Sequence, residues 1–320
     1  MNIATPDLSR LERLPAEIIQ TVLRFLHPWE IKALSSTSKR LRRASLSNVF
    51  RRVKFKFSLA GIEELKSLLK SNACSHVASF TYEITQLLKP EILDFSCFRS
   101  TILTTDNYVD MAKAMYDDNE DACGFPSYMT IYETVRDLCR EQHSIIDEGA
   151  DLLLSSVFCA LPLLKEVRLS FCEVLEFDYC LLIPDIIMKD EFYRHHLEVA
   201  TIAIQNARRR GVAINTVGLY DYELPHFDVW EKPDLTSLSR TLSRLLENVK
   251  VLRLSGSECV LELLSHCALG LHQLDMCEVA VADTALKNFL EANKKTIRSI
   301  GFHQTKLYPE SPYRDVGIAA

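Results

Sequence analysis

Glycine is scarce in this sequence, nine residues in 320, and no G-x-G-x-x-G or P-loop string occurs, which argues against nucleotide binding. No G-x-S-x-G elbow is present to carry a hydrolase nucleophile. Cys74, Cys97, Cys123, Cys139, Cys159, Cys172, Cys180, Cys259, Cys267 and Cys277 are scattered without a single C-x-x-C pair. They read as small buried apolar residues of a reducing compartment rather than as disulfides. His195 and His196 lack the i, i+4 spacing of a zinc-binding helix and read as surface histidines on a long helix. The acidic run Asp117 to Asp121 lacks the glycine and distal glutamate of an EF-hand and reads as a solvated loop. No uninterrupted apolar run reaches the ~20 residues of a membrane helix. The nearest, Leu152 to Leu164, is broken by Ser155, Ser156 and Pro162. The first ten residues lack the layout of a secretory signal. Together these absences predict a non-catalytic protein of the cytosol or nucleus, with no metal, no cofactor and no membrane partner.

With 48% hydrophobic and 25% charged residues, the chain has the composition to build a sizeable core. Its charge is uneven. Lys39, Arg40, Arg42, Arg43, Arg51, Arg52, Lys54 and Lys56 form a block with no acid among them, so the other 302 residues carry −14 on a chain of net −6. Such a block can meet nucleic acid or an acidic partner. It lacks the interleaved stacking aromatics of a nucleic-acid groove, and reads instead as a solvated helix face followed by the outer face of a strand.

Toward residue 1 the pattern is helical. Pro15 suits a first helical position and Glu17 the positive end of the helix dipole. Ile18, Ile19, Val22, Leu23 and Leu26 then make one broad apolar stripe on a helix of about three turns. His27-Pro28 ends it, and Pro28 can begin a second short helix carrying Ile31 and Leu34. Lys39 to Ala44 makes a third, with Leu41 its one large apolar residue. Three short helices cannot bury enough surface to be stable alone, so the stripe needs a partner, within this chain or outside it.

Leu14-Pro15-x-Glu17-Ile18, Val22-Leu23-x-x-Leu26, Glu30-Ile31-x-x-Leu34 and Ser38-Lys39-Arg40-Leu41-Arg42-Arg43, taken together, resemble the F-box motif along its whole length. Trp29 departs from it, standing in the turn between helices where the family is more often polar. The resemblance implies a module over residues 13–48 that binds the Skp-type adaptor of an SCF cullin–RING ubiquitin ligase. Leu14, Pro15, Ile18, Ile19, Val22, Leu23, Leu26, Ile31 and Leu34 would form the adaptor-binding or module-core set.

After the module the period changes. Val53 to Phe57 alternates apolar with basic and reads as a strand, Ile62 to Leu69 as a helix, and Val77 to Ile84 as a second strand. Leu164-x-x-Val167-x-Leu169-x-x-Cys172 fits the leucine-rich-repeat template, with looser versions from Phe50, Val77, Ile214, Val249, Leu271 and Ile297. Three apolar positions match about 11% of windows by chance at this composition, so the template alone decides nothing. Its weight comes from helical stretches between the matches, such as Ser239 to Leu246 and Ala285 to Leu290. Tyr108 to Met115 and Tyr132 to Ile146 read as a helical insertion about residues 100–150, and Glu191 to Arg210 as a long helix stopped by Gly211.

The expected fold is therefore α/β: a 12-residue tail, the short three-helix module, an irregular leucine-rich-repeat-like solenoid over 49–307 with helical insertions, and a tail from 308. This arrangement is similar to many fungal F-box proteins. The expected function is that of a substrate receptor, with target contacts near the outward strand residues Arg168, Tyr220, Arg253 and Asp275. A non-proteolytic scaffold on the same adaptor is the alternative, and a nucleic-acid role for the block 39–56 a remoter one.

Overall fold

The computed structural model describes residues 9–118, 125–172, 186–222, 235–257 and 259–309. Three helices come first: α1 (Ala16–Leu23), α2 (Pro28–Thr37) and α3 (Lys39–Val49). The first is shorter than its apolar pattern suggested: Pro15 stands just before the helix with an extended ψ of 149° rather than at its first position, and Leu26 lies beyond its end. The third is longer, and Ser38 caps it by accepting a hydrogen bond from the Leu41 N–H at 3.2 Å.

Each of the seven template matches starts two residues before a strand. The strands are β1 (Arg52–Lys56), β2 (Ser79–Thr85), β3 (Glu166–Cys172), β4 (Thr216–Tyr220), β5 (Val251–Ser255), β6 (Gln273–Cys277) and, after the short β7 (Ala280–Ala282), β8 (Ser299–His303). These seven make one parallel sheet in the order β1-β2-β3-β4-β5-β6-β8. A separate parallel pair, β7 with β9 (Lys306–Tyr308), has too few residues to show a period in sequence.

Parallel neighbours need a crossover, here mostly helical. Between the strands lie α4 (Leu59–Leu69), the single turn α5 (Phe95–Cys97), α6 (Thr105–Asp118), α7 (Tyr128–Asp147), α8 (Ala150–Cys159), α9 (Lys189–Arg209), α10 (Leu235–Leu245), α11 (Val260–Leu263) and α12 (Asp283–Asn293). The sheet face under them is apolar. Phe55, Tyr82, Leu169, Leu219, Leu254 and Met276 are register partners across six strands, and all are buried. The opposite face carries polar, partly exposed side chains, as period-2 alternation requires.

A structural regularity appears at the ends of the later strands. Asp221, Gly256, Glu278 and Gln304, immediately after β4, β5, β6 and β8, all adopt positive φ between 50° and 59°. At Gly256 a Cβ would meet Asp221 Oδ1 at 2.5 Å, so a side chain there would displace that carboxylate. One residue further, hydroxyls take the place of the template's asparagine or cysteine. Ser257 Oγ donates to the Leu219 carbonyl at 3.1 Å and accepts from the Tyr222 N–H at 3.0 Å, while Thr305 Oγ1 donates to the Met276 carbonyl at 3.5 Å. A neighbouring strand's backbone is satisfied in each case.

The insertion has a core of its own, in which Leu88, Ile92, Phe98, Leu103, Ile131, Tyr132, Val135, Cys139 and Ile186 are buried together. It therefore begins before residue 100. Asp117 and Asp118 close α6 rather than standing in a loop, while residues 119–121, like Cys123, Cys180, residues 1–8 and 310–320, lie outside the described residues. The eight described cysteines are free; Cys139 and Cys259 are buried, but Cys97 and Cys277 are exposed, contrary to the expectation of buried apolar use.

His196 is also a correction. It is fully buried, with Phe57, Phe192 and Tyr82 around its ring and its Nδ1 at 2.7 Å from the Tyr82 hydroxyl, because this side of α9 packs on the sheet. Burial, with the charge of neighbouring His195, holds its pKa well below the ordinary 6.5. Below that pH the unfolded chain takes a proton that the folded chain refuses, so stability falls as the solution is acidified. His195, half-buried, shifts the same way through burial. Urea melts should lose stability as the pH falls below about 6.5, at most about 1.4 kcal/mol per pH unit from His196. His196→Gln should flatten that slope, and an unchanged slope would show that the buried imidazole is not its source.

Candidate functional site

The sequence offers five aliphatics on α1 and its flank, and the structure divides them. Ile19 and Leu23 turn inward and are buried with Ile31 of α2 and Leu41 of α3. Leu14, Leu26 and Leu34 are half-buried against that cluster. Polar groups tie the layer together: Gln20 donates to the Ala44 carbonyl, Asn48 Nδ2 donates to Gln20 Oε1 at 3.1 Å, and Arg40 donates to the Leu14 carbonyl at 3.0 Å.

Pro15, Ile18 and Val22 face the other way and are exposed. Two residues outside the predicted set are exposed as well. Phe25 is 83% exposed and Trp29 69%, and with Ile18 and Val22 they stand at i, i+4, i+7 and i+11. That spacing was visible in the sequence, but Phe25 lies past the end of α1 and Trp29 read as a turn residue. Trp29 is in fact the second residue of α2, held by Pro28 at its first position, and its ring stacks on His27 at 6.5 Å. Glu30 fixes the turn by accepting from the His27 N–H at 2.7 Å. Four large apolar side chains are thus exposed on a module whose own core is already filled. Burying each against a partner would contribute ~1.5–3 kcal/mol before the cost of association.

The four strand residues form a second surface. Arg168, Arg253 and Asp275 lie in one register row on the polar face of the sheet, with Gly218 between the two arginines. Tyr220 folds back over Gly218, where a Cβ would meet its ring at 2.6 Å, and Arg168 stands 5.8 Å above that ring. The residue that joins them was not foreseen. Glu166, in the adjacent row, accepts from Arg168 at 3.0 Å and from Arg253 at 2.6 Å, and Arg253 also reaches Asp275 at 3.4 Å. Burial opposes ionisation of Glu166, but the hydrogen bond from Arg168, with Arg253 adding, holds its pKa below the usual carboxylate range. Its i, i+2 relation to Arg168 was the available signal.

All eight residues of the basic block are exposed. Aromatics do fall within it, contrary to the sequence reading, but Phe55 is buried under the sheet and Phe50 half-buried, which leaves neither free to stack on a base. Among the described residues no cluster of His, Cys, Asp or Glu could hold a metal, and no helix is long and apolar enough to cross a membrane.

Comparison with known families places a boundary on the first surface: residues 11–56 match the family model described as F-box-like. No curated protein matches the chain. The inward and outward sets should separate by substitution. Leu23→Ala should destabilise the chain by about 2–5 kcal/mol in urea melts. Phe25→Ala and Trp29→Ala, at exposed positions, should stay within about 0.5 kcal/mol. A large loss from either would mean that these rings pack within the chain.

Proposed function

We propose that this chain, which carries an F-box-like domain at residues 11–56, is the substrate-receptor subunit of an SCF-type cullin–RING ubiquitin ligase. F-box domains typically bind Skp-type adaptors. The observation that carries the proposal is the exposed apolar surface of Ile18, Val22, Phe25 and Trp29 on a module whose inward residues are already committed. Within the nine-residue set, Pro15, Ile18 and Val22 would touch the adaptor, while Ile19, Leu23, Ile31 and the half-buried leucines shape the module.

The rest of the chain is then an irregular leucine-rich-repeat-like domain that presents a target-binding face. The chain-ordered parallel sheet, the recurrent positive-φ residues and the hydroxyls of Ser257 and Thr305 support that reading. Arg168, Tyr220, Arg253, Asp275 and the added Glu166 offer a held, mixed-charge patch at which a target could dock. The chain itself performs no bond chemistry; its contribution is proximity, in the cytosol or nucleus.

Co-purification with a Skp-type adaptor tests the proposal. Wild type should be captured, and Ile18→Asp or Val22→Asp should lose capture while keeping the wild-type melting profile, since both positions are exposed. Equal capture of the variants, or none by wild type, would remove the ligase reading.

A further inference from the structure

The last strand of the sheet differs from the six before it. Phe302 of β8 stands in the row of Phe55, Tyr82, Leu169, Leu219, Leu254 and Met276, yet it is 52% exposed where those are buried. The cause is topological: among the described residues the helical layer stops at α12, so nothing covers β8. Leu307 and Tyr308 of β9, which follows β8 in the chain, are also exposed, at 55% and 42%. Beyond its bonds to β6, the other edge of β8 pairs with no described strand. An uncovered edge of this kind is a template for a further strand.

Charge singles out what fits there. From Asp283 to Glu310 the chain has five basic residues, Lys287, Lys294, Lys295, Arg298 and Lys306, against three acids, Asp283, Glu291 and Glu310, on a chain of net −6. Glu291 is paired with Lys294. Arg298 immediately precedes β8 and Lys306 lies three residues past it; both are exposed, and neither forms an ion pair with a described residue.

We propose that the β8 edge is a second docking site, which takes an extended acidic segment of a partner protein as an added strand. Backbone groups of β8 would pair with the segment, its apolar side chains would cover Phe302 and Leu307, and its carboxylates would meet Arg298 and Lys306. This surface is distinct from both those described above and does not depend on adaptor binding. An open strand edge favours a peptide over a nucleic acid, which has no backbone to continue a sheet.

Twelve-residue peptides selected from a random library on the immobilised full chain, then measured by fluorescence anisotropy, test this. Enriched peptides should alternate Asp or Glu with apolar residues. Their affinity should fall at least tenfold with Phe302→Asp, with Arg298→Glu plus Lys306→Glu, and on N-methylation of alternate peptide nitrogens. Ile18→Asp should leave it unchanged, which separates this site from the adaptor surface. The charge reversals lie on exposed positions and keep the test valid should Phe302→Asp fail to fold. Failure to enrich such peptides, or peptides indifferent to these changes, would overturn the proposal. So would a single-stranded RNA probe that binds the edge and displaces them.

Discussion

Parallel pairing in chain order is the constraint on which the larger part of this molecule depends. Each of the six pairings joins strands that a hairpin cannot connect, so every step needs a crossover. Right-handed crossovers between successive neighbours return on the same side of the sheet, which gathers the connections over one face and leaves the other to solvent. The buried row from Phe55 to Met276 and the polar row containing Arg168, Arg253 and Asp275 are two consequences of that one rule. So is exposed Phe302, where the covering layer stops.

A different constraint governs the first helices. On the proposed reading some thirty-five residues must supply both a core and a docking surface, and a helix can do so only if its apolar stripe is wider than one face. On α1 adjacent Ile18 and Ile19, and adjacent Val22 and Leu23, provide that width: one of each pair turns in and the other out. Half of the surface then comes from Phe25 and Trp29, on either side of the His27-Pro28 turn. The geometry of that turn, set by Glu30 and Pro28, decides whether the two rings continue the line of Ile18 and Val22.

The strands were legible because an apolar triplet spaced 0, 3, 5 straddles the entry to a strand and its buried row, and the helical stretches between matches lent it weight. The F-box-like region was legible because its segments co-occur at fixed spacing. What escaped reading was set by contacts across the chain. His196 looked like half of a surface pair, yet one turn of α9 against Tyr82 buries it completely. Positive φ at Asp221, Glu278 and Gln304 left no mark, since only Gly256 at the equivalent place is a residue type that announces it. Glu166 gained its place between two arginines from strands that lie 87 residues apart in sequence at one of the contacts. The insertion's separate core could not be seen as separate, because its apolar residues look in sequence like those of the main one.

The central claim is that one side of α1 and the start of α2 is built to be covered by an adaptor while the sheet stays free for a target. Amide hydrogen exchange of the full chain, with and without a Skp-type adaptor, tests it most directly. The account predicts slowed exchange confined to residues about 15–31, with the sheet strands unchanged. Protection centred on β3 to β6, or no protection anywhere, would contradict it.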